Sequence, residues 1–208
     1  MRKNTEAQTR QKLENIQNTA LKLFIEKGMD QVSVSEICKA AGITKPTFYK
    51  YIDSKEKIIL NYFQEVQGPI EEQWAVIGDS EDHLGRVIVA AAASLVHVET
   101  VYPELFKKYV SYCLSSRIPI ERYEPEAVMA IEREIRLAQE AGQIGLEADS
   151  SLIYGTLKNM GLGMVMRWIT KPDQLNLKGD FLAETAAFLD IDSKELPRLA
   201  KLLEELTD

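Results

Sequence analysis

The chain has 208 residues, 45% of them hydrophobic and 27% charged, with a formal net charge of −7. That balance suits a globular protein with a real core and argues against both a disordered chain and a membrane protein. The longest apolar run, around Val87 to Val98, is interrupted by Ser94 and His97 and is too short to span a bilayer.

The N-terminus, "MRKNTEAQTRQ", is basic, but no apolar segment follows it, so no secretory signal is expected and the cytoplasm is the expected location. The two cysteines, Cys38 and Cys113, lie far apart among apolar neighbours and read as buried free thiols. Charge is uneven. The first 60 residues carry 11 Lys and Arg against 7 Asp and Glu, while the other 148 carry 14 against 25. A basic front and an acidic remainder point to two jobs in one chain.

The apolar spacing predicts helix almost throughout, with no sustained period-two alternation. A first helix is predicted from about Thr9 to Lys27, with Leu13, Ile16, Ala20, Leu23 and Phe24 on one stripe and Gly28 ending it. "SVSE" at Ser33 to Glu36 is a capping box that opens a second helix, closed by Gly42. Thr44 caps a short third helix over Lys45 to Tyr51, with Pro46 in its first turn, where a missing N–H costs little. A fourth helix starts at Asp53 or Ser54 and reaches a break at Gly68-Pro69. Further helices are predicted over roughly 70–78, 82–98, 102–115, 124–141, 149–169, 179–190 and 194–206.

The second and third helices with the turn between them read as a helix-turn-helix. The steep crossing needs small residues, and Ala40, Ala41 and Gly42 supply them. Ile43 and Phe48 then hold the third helix to the core, leaving Thr44, Lys45, Thr47, Tyr49 and Lys50 facing outward. Hydroxyl and ammonium groups are what phosphates and base edges accept. The candidate DNA-contact residues are Ser33, Thr44, Lys45, Pro46, Thr47, Tyr49, Lys50 and Lys55.

The stretches "TALKLFIEKG", "SVSEICKAAGIT", "TFYKYI" and "SKEKII" together resemble the DNA-binding domain of the TetR/AcrR family of bacterial transcriptional regulators. The resemblance covers about Thr9 to Phe63. It implies that Tyr49 and Lys55 bind backbone phosphate and that Lys45 and Thr47 face the bases. Pro46 stands where the family often has glycine, and Ile52 where it usually has Phe.

The resemblance implies an all-α fold: an N-terminal three-helix helix-turn-helix domain over 1–53, with the start of helix four reaching about 68, and a C-terminal helical domain over 54–208 that dimerises and binds a small effector. A dimer suits the short third helix, because two copies roughly 34–36 Å apart can read a palindrome. "YGTLKNMGLGMVMRWI" and "FLAETAAFLD" supply the expected dimer helices, with Gly155, Gly161 and Gly163 permitting close approach and apolar residues on more than one face. The effector pocket is expected among His97, Tyr102, Phe106, Tyr109, Cys113, Met129, Met160, Met164 and Trp168, and such a set suits a hydrophobic or amphipathic ligand.

The expected partners are double-stranded DNA, a second copy and that ligand, with no membrane and no cofactor. The leading reading is a ligand-responsive repressor that binds a palindromic operator and leaves it when the effector binds. The alternatives are a helical interaction module, or an enzyme, with a vestigial DNA-binding helix. His83 and His97 form no metal-ligand motif, and no nucleophile elbow or phosphate-cradling loop is present, so no enzyme activity is expected.

Overall fold

A computed structural model describes residues 2–65, 70–78, 82–100, 103–120, 124–171 and 176–206. The described residues fold entirely as helices and turns, and they divide into two compact units.

The first unit comprises Met1–Val66 with Tyr102–Arg122. It opens with α1, Arg2–Lys27. The helix starts seven residues before its predicted start, because the apolar stripe begins only near Leu13 while the polar residues ahead of it contain no Gly or Pro to stop a helix. Ile16, Ala20 and Phe24 are buried on that stripe. Gly28, at φ 80°, lets the chain leave the helix in a conformation closed to ordinary side chains. A 3-10 turn, Met29–Gln31, leads into α2, Val34–Ala40. Gly42 turns at φ 68° into α3, Lys45–Tyr51.

The fourth helix, α4, is Lys55–Glu65, and the predicted break at Gly68-Pro69 lies outside the described residues. In this unit α4 packs on a distant segment, α7, Pro103–Ser116. Phe63 meets Phe106 at 5.1 Å and Tyr109 at 4.8 Å between ring centroids. In this unit α7 joins the helix-turn-helix and α4, the helix expected to continue that domain to about residue 68. Aromatic packing between segments forty residues apart decides this, and no local pattern announces it.

The second unit comprises Gln67–Val101 with Tyr123–Asp208. Its helices are α5, Ile70–Trp74; α6, His83–Thr100; α8, Pro125–Glu140; α9, Ser150–Thr170; α10, Leu177–Leu189; and α11, Leu196–Glu205. At its centre, α6 packs on α5, α8, α9, α10 and α11. Leu84, Val87, Ile88, Val89, Ala92 and Leu95 are all buried, as expected of a helix apolar on most of its circumference. A polar knot sits at its start. Glu134 of α8 is buried and accepts from His83 at 2.7 Å and from Arg86 at 3.4 Å, while the Trp74 indole donates to the Arg86 carbonyl at 2.9 Å. A carboxylate can be buried there because cationic and hydrogen-bonding partners surround it.

Candidate nucleic-acid interface

The second helix is held in place by its own cap. Ser33 accepts from the Glu36 N–H at 3.2 Å and donates its hydroxyl to Glu36 Oε2 at 3.2 Å. The Ser33 N–H also donates to Glu36 Oε2, at 3.0 Å, and Lys27 reaches Glu36 Oε1 at 3.2 Å. The bond from the Ser33 backbone, then that from Lys27, holds the Glu36 carboxyl below its ordinary range. Ser33, one of the sequence candidates for DNA contact, thus has its hydroxyl engaged within the capping box.

The third helix has one face in the core and one outside. Phe48 is fully buried, and Ile52 closes the same side. Thr44 accepts from the Thr47 N–H at 3.4 Å, and the two hydroxyls lie 2.9 Å apart, so each limits the rotation of the other. Lys45, Pro46, Tyr49 and Lys50 are exposed, with Tyr49 at 53% exposure despite its size. Its ring stands edge-on to Phe48 at 5.4 Å. The Lys50 ammonium lies 5.7 Å from the Tyr51 ring centre, a cation–π distance that keeps the charge near the surface. The first turn carries no acidic residue. The structure therefore brings Thr44, Lys45, Pro46, Thr47, Tyr49 and Lys50 together on one short element. Lys39, exposed in the last turn of α2, is a further cation that the sequence reading passed over.

Lys55 is placed differently. Its ammonium donates to the carbonyls of Met29 at 2.9 Å and Val32 at 3.2 Å, across the α1–α2 connection. From α7, Lys108 reaches Asp30 of the same connection at 2.6 Å. The hydrogen bond from Lys108, with the nearby Lys108 and Lys55 charges, holds the Asp30 carboxyl below its ordinary value. Residues 29–32 are gripped from two helices. Sequence reasoning missed the Asp30–Lys108 pair because its partners are 78 residues apart with no local signature.

The residues expected to line an effector pocket separate. Phe106, Tyr109 and Cys113 are buried in the first unit, where Tyr109 donates to the Ile120 carbonyl. Burial raises the Cys113 thiol above its ordinary value. Met164 and Trp168 are buried on α9 in the second unit, and Met160 is half-buried there. Met129 is 60% exposed on α8, so it does not line an interior: the helix turns Ile131, Glu134, Ile135 and Ala138 inward instead. Tyr102 and the side chain of His97 lie outside the described residues. Among the described residues no group of three or more metal-ligating side chains is gathered, and no helix is long and apolar enough to cross a membrane.

Residues 16–62, covering the second half of α1, α2, α3 and most of α4, match the family model of bacterial regulatory proteins, tetR family. The "Uncharacterized HTH-type transcriptional regulator YvdT" of Bacillus subtilis (strain 168) is 33% identical over 34% of this chain and 42% of its own length. The chain thus spans less than half of that relative. Two solved structures share the fold along most of the chain. One is RolR in complex with resorcinol, at TM-score 0.58 and 18% identity, covering 94% of this chain and 95% of that one. The other is Thermus thermophilus FadR, a repressor in complex with lauroyl-CoA, at TM-score 0.57 and 18% identity, with the same coverage. Over residues 16–62, the helix-turn-helix and its flanking helices, the chain is thus similar in sequence to the tetR family of bacterial regulatory proteins.

Proposed function

We propose that the protein is a ligand-responsive transcriptional regulator, a cytoplasmic repressor that binds a palindromic operator as a homodimer and is released by a small molecule. The observation that carries this reading is α3 itself: Phe48 is buried while Lys45, Tyr49 and Lys50 remain exposed on the same seven residues. In this reading Tyr49 contacts phosphate, and Lys45 and Thr47 reach base edges. The relatives are transcriptional regulators, which supports regulation rather than catalysis, and no cofactor is required.

A dimer face is supported on α9 and α10. Leu152, at 64% exposure, shares one helical face with Gly155, Asn159 and Gly163, and a side chain added at Gly155 or Gly163 would meet nothing. On α10, Ala183 and Ala187 are exposed as well. Small residues beside an exposed leucine suit close packing against a second pair of helices.

The effector is a small hydrophobic or amphipathic molecule held in the second unit, with Met160, Met164 and Trp168 of α9 among its contacts. The resorcinol and lauroyl-CoA of the two structural neighbours are of that general kind. Its action requires different affinity for the DNA-bound and free conformations. The test is selection of bound sequences from random duplex DNA, then affinity against salt. A palindromic consensus bound with a steep negative salt slope supports the reading. No enrichment, or binding indifferent to salt, contradicts it.

A further inference from the structure

Within the first unit a half-open cavity of about 420 Å³ lies between the C-terminal turn of α1, the 3-10 turn and the start of α7. Phe24, Ile25, Met29, Pro103 and Leu105 make its walls mainly apolar, and Ile25 is left 40% exposed. Both carboxylates of the lining, Asp30 and Glu104, already have a cation. Lys108 donates to Asp30 at 2.6 Å, and Lys107 donates to Glu104 at 2.6 Å. Gln31 is the one uncharged polar side chain in the lining.

We propose that this cavity is a site for an uncharged ligand, a compact apolar ring system bearing a single hydroxyl, separate from the effector pocket of the second unit. The volume falls in the range of roughly 300–1,000 Å³ common to ligand pockets, which pair apolar walls with a few polar groups. With each carboxylate taken up by a lysine, neither sign of charge meets an unpaired partner at the walls. An ion that entered would give up water and gain nothing in its place, which is unfavourable. A neutral ring loses no such hydration and covers the apolar walls, Ile25 among them. Gln31 then bonds the hydroxyl and orients the ring. The matching of charge persists through neutral pH, because the bond from Lys108 holds the Asp30 carboxyl below its ordinary value.

The site is formed before any ligand arrives. The Asp30–Lys108 bond ties the 3-10 turn to α7, and Lys55 grips the carbonyls of Met29 and Val32. Walls fixed in advance lower the ordering cost of binding. The segment Gly28 to Gln31 lines the cavity and runs on into the capping box of α2. A ligand seated there braces the connection that places α2.

The test is a methyl-resolved NMR titration of the full chain with three probes on one naphthalene body: 2-naphthylmethanol, 2-naphthylmethylamine and 2-naphthoate. The alcohol should bind most tightly and both ions about tenfold more weakly, the scale of a charge that loses part of its hydration without a partner. Nuclear Overhauser contacts should join the alcohol's ring protons to the Met29 methyl. Gln31→Leu should weaken the alcohol about threefold, the size of one modest hydrogen bond. Ile25→Trp, which fills the cavity from an exposed position, should abolish binding, and the Met29 contacts locate the site even if that variant fails to fold. The proposal is overturned if the alcohol does not bind, if either ion binds as tightly as the alcohol, or if the bound alcohol makes no contact with Met29. It is overturned equally if Gln31→Leu, or a folded Ile25→Trp, leaves the alcohol's affinity unchanged. No DNA enters the titration, so a failure here and a failure of operator recognition are separate results.

Discussion

Lys55, the first residue of α4, donates its ammonium to the carbonyl of Met29, 26 residues earlier and 2.9 Å away. A second bond reaches Val32 at 3.2 Å. One side chain thereby fastens the connection between α1 and α2 to the helix that follows the recognition helix. The family resemblance implies a phosphate contact for this lysine, whereas the geometry gives it a positioning role.

These roles separate experimentally. Lys55→Met strands two carbonyl oxygens and removes charge-assisted hydrogen bonds, so urea denaturation should show a loss of about 1.5–3 kcal/mol. Operator affinity should fall with the slope against salt unchanged. A phosphate ligand would instead lower that slope by about one, with stability untouched.

Phe48 and its neighbour Tyr49 divide the work of α3, so their substitutions should behave in opposite ways. Phe48→Ala opens a cavity at a fully buried ring and should cost about 3–5 kcal/mol, enough to unfold the domain at mild denaturant. Tyr49→Phe removes only an exposed hydroxyl. It should leave the melting curve in place and weaken binding to specific and random duplexes by the same factor.

Acid should loosen the α1–α2 region. Asp30 and Glu36 titrate below their ordinary values of 3.8 and 4.5 because hydrogen bonds and nearby lysines favour the charged forms. In the unfolded chain they return to those ordinary values. Their contribution to stability is therefore complete above about pH 5, and it is lost as the pH falls through the ordinary values toward the lower folded ones. Urea midpoints measured from pH 6 downward, on a scale of about one pH unit per step, should fall less steeply for Glu36→Gln than for the unaltered chain.

Self-association is tested at Gly163, where an added side chain meets nothing within the protomer. Gly163→Arg should leave the helical signal intact and shift the chain toward monomer in sedimentation equilibrium. Binding to a palindrome should drop to about that of a half-site.

The helix-turn-helix was legible because its signals are local. Ser33 with Glu36, Gly42, Thr44 and Pro46 are caps and turns whose chemistry acts within four residues, and α3 spans the predicted Lys45 to Tyr51. What escaped was long-range. Nothing near Phe106 or Tyr109 says that they pack on Phe63, and this contact moves α7 into the first unit. Met129 was a pocket candidate because methionine is common where surfaces must repack, but its place on the exposed α8 face keeps it out of an interior. The cavity beside Ile25 was illegible for the same reason, since its walls come from segments separated by more than seventy residues.

The central claim is that the exposed face of α3 reads DNA. Selection from random duplexes, run in parallel on the unaltered chain and on Lys45→Ala, tests it most directly. The expected result is a palindromic consensus for the first and a changed or relaxed preference at the same positions of each half-site for the second. An identical consensus bound with identical affinity by both would contradict it.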